Sequence, residues 1–100
     1  MRVTILPDDN IVSVDGEIYD NLDLSFLDST IHAVQWYDTH GEIEHKDPIT
    51  KRMTENEEIT SFDEFQPAIV AWQAKKDETA AAIAAAQNNL ADDEPNVVAE

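Results

Sequence analysis

Three histidines, His32, His40 and His45, fall within fourteen residues, with Glu42 and Glu44 between the last two. Imidazoles and carboxylates folded against one another in this way would hold zinc or nickel. Their spacing follows no established ligand pattern, and a hairpin would set His32 far from His45. The pairs Glu42/Glu44 and Glu57/Glu58 have the chemistry of acid–base catalysis, but that work needs a pKa shifted by burial. In a chain with 22 acids, neighbouring exposed carboxylates arise from composition alone. There is no G-x-S-x-G motif and no phosphate-binding glycine loop, and glycine occurs only twice. The absence of cysteine excludes disulfides, thiolate metal sites and cysteine nucleophiles. The expectation is a protein with no catalytic residues, no cofactor and no metal, which works through its surfaces.

The candidate contact residues are Trp36, Tyr37 and His40 around one loop, and Lys75, Lys76, Ile83 and Leu90 along one helix. A tryptophan in an apolar strand is more often core, but beside a loop one ring of the Trp36-Tyr37 pair can remain an exposed binding anchor. Lys75-Lys76-Asp77-Glu78 reads most simply as a solvated helix face. The Ala80 to Ala86 tract reads either as a plain solvated helix or as a close-packing seam between copies of the chain. Alanine contributes little area per residue, so such a seam alone would be weak.

The elements that position these residues follow from periodicity and turn chemistry. Arg2 to Leu6 alternates and is β-branched, so it reads as a strand. Pro7 to Asn10 is a turn and Ile11 to Val14 the next strand. Asp15-Gly16 is a type I′ hairpin signal, because both central residues need positive φ. It pairs Val14 with Glu17 and Val12 with Tyr19, placing Val12, Val14 and Tyr19 on one face. Asn21 to Thr30 reads as a short strand or a turn of helix laid over the core. Ile31 to Tyr37 is apolar on both faces and therefore central. Gly41 ends a loop in which it can take positive φ. Glu42 to Lys46 reads as a charged edge strand. Residues 48–60 form a loop or one more short strand.

Ser61-Phe62-Asp63-Glu64 has the form of a capping box. Pro67 is costly deep in a helix, so a short turn at 62–65 precedes a main helix with Pro67 at its first position. Phe62, Phe65, Ile69 and Trp72 form an apolar stripe that docks this helix on the sheet. Beyond Trp72 only Ile83 and Leu90 are large and apolar, so the helix projects or packs thinly on a partner. It runs to about Leu90, and Asp92-Asp93-Glu94-Pro95 ends it. The fold class is α+β: a small antiparallel meander sheet of four or five strands with one long C-terminal helix. One domain comprises a sheet body (1–60), the helix (61–91) and an acidic, frayed tail (92–100).

Six Lys and Arg oppose the 22 acids, for a formal charge of −16. The excess is spread along the whole chain, which makes an acidic surface and not an acidic tail. Such a surface repels nucleic acid backbones and anionic membranes, and favours solubility, basic protein partners or mimicry of DNA. The first residues hold no apolar run long enough for a signal peptide, and Ala80 to Ala86 is too short to span a bilayer. Lack of cysteine suits a reducing cytoplasm.

Ile5-Leu6-Pro7-Asp8, Val14-Asp15-Gly16, Ile31 to Tyr37, Gly41-Glu42-Ile43-Glu44, and Ile59 to Phe62 leading to Phe65-Gln66-Pro67 and Trp72 resemble small tail-associated proteins of tailed bacteriophages. These are typically encoded beside tail fibre genes. The resemblance covers roughly residues 1–75 and consists of core and turn positions, so it assigns no functional residue. It implies a tail fibre assembly protein (a chaperone) or a minor virion component, with a tail fibre or baseplate chain as partner. It implies host cytoplasm during assembly, or the virion tail, as the location. The charge supports a different class: an acidic DNA mimic, or anti-defence protein, that occupies a host nucleic-acid-binding protein. A third expectation is a homo-oligomer held by the alanine-rich helix.

Overall fold

The computed structural model describes the backbone of residues 1–98 and the side chains of residues 1–87. Six strands form one antiparallel sheet: β1 (Arg2–Leu6), β2 (Ile11–Val14), β3 (Glu17–Tyr19), β4 (Ile31–Tyr37), β5 (Gly41–His45) and β6 (Glu57–Ile59). Their spatial order is β3-β2-β1-β4-β5-β6. A 3-10 turn (Asp63–Phe65) then leads into helix α1 (Gln66–Val98). The fold is α+β, with one strand more than the upper expectation.

The β2–β3 hairpin follows from its turn. Asp15 and Gly16 have φ of 51° and 88°, the left-handed pair that a type I′ turn needs. The register is Val12↔Tyr19 and Val14↔Glu17. Strand β4 lies inside the sheet, paired with β1 and β5, and a bulge interrupts its β5 register between Ile31 and Ala33. Val3, Ile5, Val12, Val14, Val34, Trp36 and Ile43 point to one side and are buried. The linker after β3 is neither strand nor helix. Turns closed by Leu27 N–H to the Leu24 carbonyl (3.1 Å) and Ile31 N–H to the Asp28 carbonyl (3.0 Å) carry it, while Leu22 and Leu24 enter the core.

Helix α1 docks by its first two turns. Phe62, Phe65, Ala68 and Trp72 are buried, and Ile69 packs beside them. The Trp72 ring meets Tyr19 edge-on at 5.9 Å and its Nε1–H donates to the Glu17 carbonyl at 2.9 Å. Lys76 reaches the Glu17 carboxylate at 3.2 Å and lies 5.0 Å from the Trp72 ring centroid. The helix thus clamps the β2–β3 hairpin and then leaves the body. The radius of gyration is 19.1 Å, against ~13 Å for a compact chain of this length.

Four local expectations are corrected. Strand β5 is not an edge, because β6 pairs with its outer side through Gly41↔Ile59 and Ile43↔Glu57. Gly41 does not have positive φ; the left-handed residue of its loop is Asp38, with φ 78°. Gly41 is needed for close approach: a Cβ there would lie 2.2 Å from the Gln35 carbonyl oxygen and 3.0 Å from Trp36 Cε3. Ser61 makes no capping box. Its Oγ accepts from Asp63 N–H at 3.2 Å, and the 3-10 turn has no side-chain cap. Helix α1 is continuous through Pro95 to Val98, past the expected stop at 92–95. A proline φ near −65° is itself helical, so Pro95 removes a hydrogen bond without forcing an end. Residues 99–100 of the expected tail lie outside the described residues.

Candidate functional site

Trp36 is not a surface anchor. It is 5% exposed, opposite Val3 and Gly41, and its ring lies 5.5 Å from that of Phe62. Alternation fixes the reason: Val34 and Trp36 share the covered face with Ile5 and Val3. Tyr37, one residue on, takes the opposite face and is 38% exposed. Its N–H donates to the His40 carbonyl at 2.7 Å, which brings the two rings into a stack with centroids 5.6 Å apart. The Arg2 guanidinium sits 4.3 Å from the Tyr37 centroid. A cleft of ≈ 290 Å³ opens beside this stack, lined by Tyr37, His40, Gly41, Glu42, Glu58, Ile59 and Thr60.

The histidines are not brought together. His40 precedes β5 and His45 ends it, roughly 16 Å apart at ~3.3 Å per residue. His45 Nε2 lies 3.0 Å from Glu57 Oε1, and its Nδ1 lies 3.4 Å from Thr30 Oγ1. No group of three potential metal ligands converges among the described residues. On the helix, Lys75 and Lys76 are half-buried, and Lys76 is occupied by Glu17 and Trp72. Ile83 is 54% exposed. Leu90 lies outside the residues whose side chains are described. The two candidate clusters, around Tyr37 and along the helix, therefore remain separate surfaces.

Two features escaped the sequence reading. First, α1 and the 62–65 turn cover only one face of the sheet. The register aligns Ile18, Ser13, Thr4, Gln35, Glu42 and Glu58 in one row across all six strands of the uncovered face. Gln35 Oε1 accepts from Thr4 Oγ1 at 2.9 Å and from Arg2 at 3.2 Å, so the middle of the row is a connected polar strip. The register itself could not be read before the strand order was known. Second, Lys46 is 4% exposed and donates through Nζ to Asp8 Oδ2. Its hydrocarbon stem fills space beside a cavity of ≈ 320 Å³ that Asp8, Leu24, Ile31 and Lys51 also line.

The hydrogen bond from Lys46 holds the Asp8 carboxyl below the ordinary carboxylate range; the charges of Lys46, Lys51 and His32 act in the same direction. A carboxylate lowered by folding contributes its full stabilisation above its unfolded pKa of about 3.9, and loses it as pH falls through the folded value. Asp8→Asn is therefore expected to destabilise the protein at pH 7, and the gap to the parent should close as pH falls below the ordinary carboxylate range. Asp8 is 57% exposed, so the loss should be about 1–2 kcal/mol, below the 3–5 kcal/mol of a fully buried pair. Urea unfolding of both proteins across that range measures it; a gap independent of pH would refute the ion-pair origin.

No helix among the described residues is long and apolar enough to cross a membrane. No protein-family model, curated protein or solved structure matches this chain.

Proposed function

We propose that this protein acts by binding another protein during assembly of a bacteriophage tail, as a tail fibre assembly or attachment protein, without catalysis. The partner is a tail fibre or baseplate chain, met in the host cytoplasm. The resemblance of residues 1–75 supports the tail. The observation that carries protein binding is the helix beyond its docked turns: every side chain from Ala80 to Gln87 is exposed. A partner surface that admits close approach would hold it, with Ile83 as the one large apolar contact in that stretch.

The test is capture of tagged protein from cells that also express tail fibre and baseplate genes, with mass spectrometry of what is retained at high salt. A tail chain is the expected result. Truncation after Thr79 keeps Trp72, Lys76 and their contacts, so the body should unfold within a few degrees of the full chain while capture drops at least tenfold. Capture unchanged by truncation would remove the helix from the interface. Retention of a host DNA-binding protein, released by duplex DNA, would replace this reading with DNA mimicry, which the charge of −16 favours. Light scattering on the purified chain distinguishes a homo-oligomer. The presence of the protein in purified virions separates a permanent tail component from a chaperone that leaves.

A further inference from the structure

The uncovered sheet face is graded. At the β2–β3 end it is apolar: Ile18 is 62% exposed, and Leu6 and Ile11, directly opposed, are half-buried. Its centre is the Ser13-Thr4-Gln35 strip. At the β5–β6 end it is acidic: Glu42 is the direct cross-strand partner of Glu58, and Glu44 lies two residues along the same strand. Like charges directly opposite are destabilising in an antiparallel pair. None of the three has a hydrogen-bond or ion-pair partner among the described residues; the nearby cations are engaged elsewhere, Arg2 at Gln35 and Tyr37, and Lys46 at Asp8. The cleft beside Tyr37 opens onto this acidic end, with Glu42 and Glu58 in its wall.

We propose that this face is a docking surface for a cationic segment of a partner protein. This deepens the protein-binding reading above and rests on it. Lys or Arg side chains of the segment would lie between Glu42, Glu44 and Glu58, relieving the repulsion there. Apolar side chains further along the segment would cover Ile18, Ile11 and Leu6. A second copy of the chain is disfavoured as occupant, because it would add acid to acid.

The probe is an extended ten-residue peptide whose odd positions are Lys in the first half and Val in the second, with Ser between them, so that one side carries cations and then apolar groups; it is titrated into isotopically labelled protein and followed by amide chemical shifts. Shifts concentrated on β4, β5, β6 and Ile18 are expected. The variant E42Q/E44Q/E58Q should bind at least tenfold more weakly, or ~1.4 kcal/mol, and should be no less stable thermally than the parent. The charge-matched variant E64Q/D77N/E78Q, altered outside the sheet, should bind as the parent does. Equal weakening by both variants, or shifts spread over the helix, would reduce the effect to general charge attraction and overturn the proposal. The same face shifting on concentration of the protein without peptide would also overturn it, in favour of a second copy. In the co-expression capture, a tail chain retained equally by parent and E42Q/E44Q/E58Q would sink the face while sparing the protein-binding reading; failure to retain any chain would sink that reading.

Discussion

Trp36→Ala is expected to lower stability by about 3–5 kcal/mol, the range for removing a large aromatic from a core. The ring is 5% exposed and packs on Phe62, the first residue of the stripe that ties α1 to the sheet. Its loss opens a cavity between β4 and the 62–65 turn. A domain of this size has only about 5–15 kcal/mol in all, and each kcal/mol moves the midpoint by about 4–8 °C, so the thermal midpoint should fall by at least ~12 °C. Any loss of binding would then reflect damage to the body, which makes Trp36→Ala uninformative about contact. Tyr37→Ala, on the exposed face, should leave the stability within about 1 kcal/mol of the parent. A Trp36→Ala variant that melts like the parent would show that the ring is not core.

Gly41→Ala is expected to cost about 3 kcal/mol, the upper end of overpacking for a single methyl. A Cβ would stand 2.2 Å from the Gln35 carbonyl oxygen and 3.0 Å from both Trp36 Cα and Cε3. Two of those three atoms are backbone of β4, so relief requires the β4–β5 pair to separate. Backbone dihedral strain is not the cause, since Gly41 does not have positive φ. The double variant Trp36→Ala/Gly41→Ala should lose less than the sum of the singles, because the Cε3 contact disappears while the carbonyl contact remains. Urea unfolding of the four proteins gives the coupling. Full additivity would show that the ring takes no part in the clash.

The Trp36 and Gly41 positions also show where sequence reading stops. The strand Ile31 to Tyr37 was legible because few runs are so apolar, and its central place followed. Which of its two faces is buried was not legible. Ile31, Ala33 and Tyr37 make one parity as apolar as Val34 and Trp36 make the other. Pairing with Val3 and Ile5 of β1, thirty residues away in sequence, settles it. The sequence marks the glycine as special, but for the wrong freedom. A short polar loop suggests positive φ, and only the opposed tryptophan shows that the constraint is space. Strand β5 looked like an edge because its own residues are charged; Glu57 to Ile59 covers it nonetheless, through hydrogen bonds between backbones that composition does not report. Lys46 is the same lesson for a charge. Lysine in a polar run reads as exposed, and its burial depends on Asp8 arriving from the turn after β1.

By itself the sequence determined what acts over a few residues: the left-handed Asp15-Gly16 turn and its register, the strand character of Arg2 to Leu6 and Ile31 to Tyr37, the stripe Phe62-Phe65-Ile69-Trp72, the propensity of the alanine tract, and the total charge. These depend on backbone dihedrals, side-chain spacing and residue counts, all local to the chain. Tertiary structure alone decided which sheet face is covered, that Trp36 is core and Tyr37 is surface, and that Glu42 faces Glu58. Burial and charge pairing depend on which distant element arrives on which side. Here the helix spends its large apolar residues on one face of the sheet and brings none to the other.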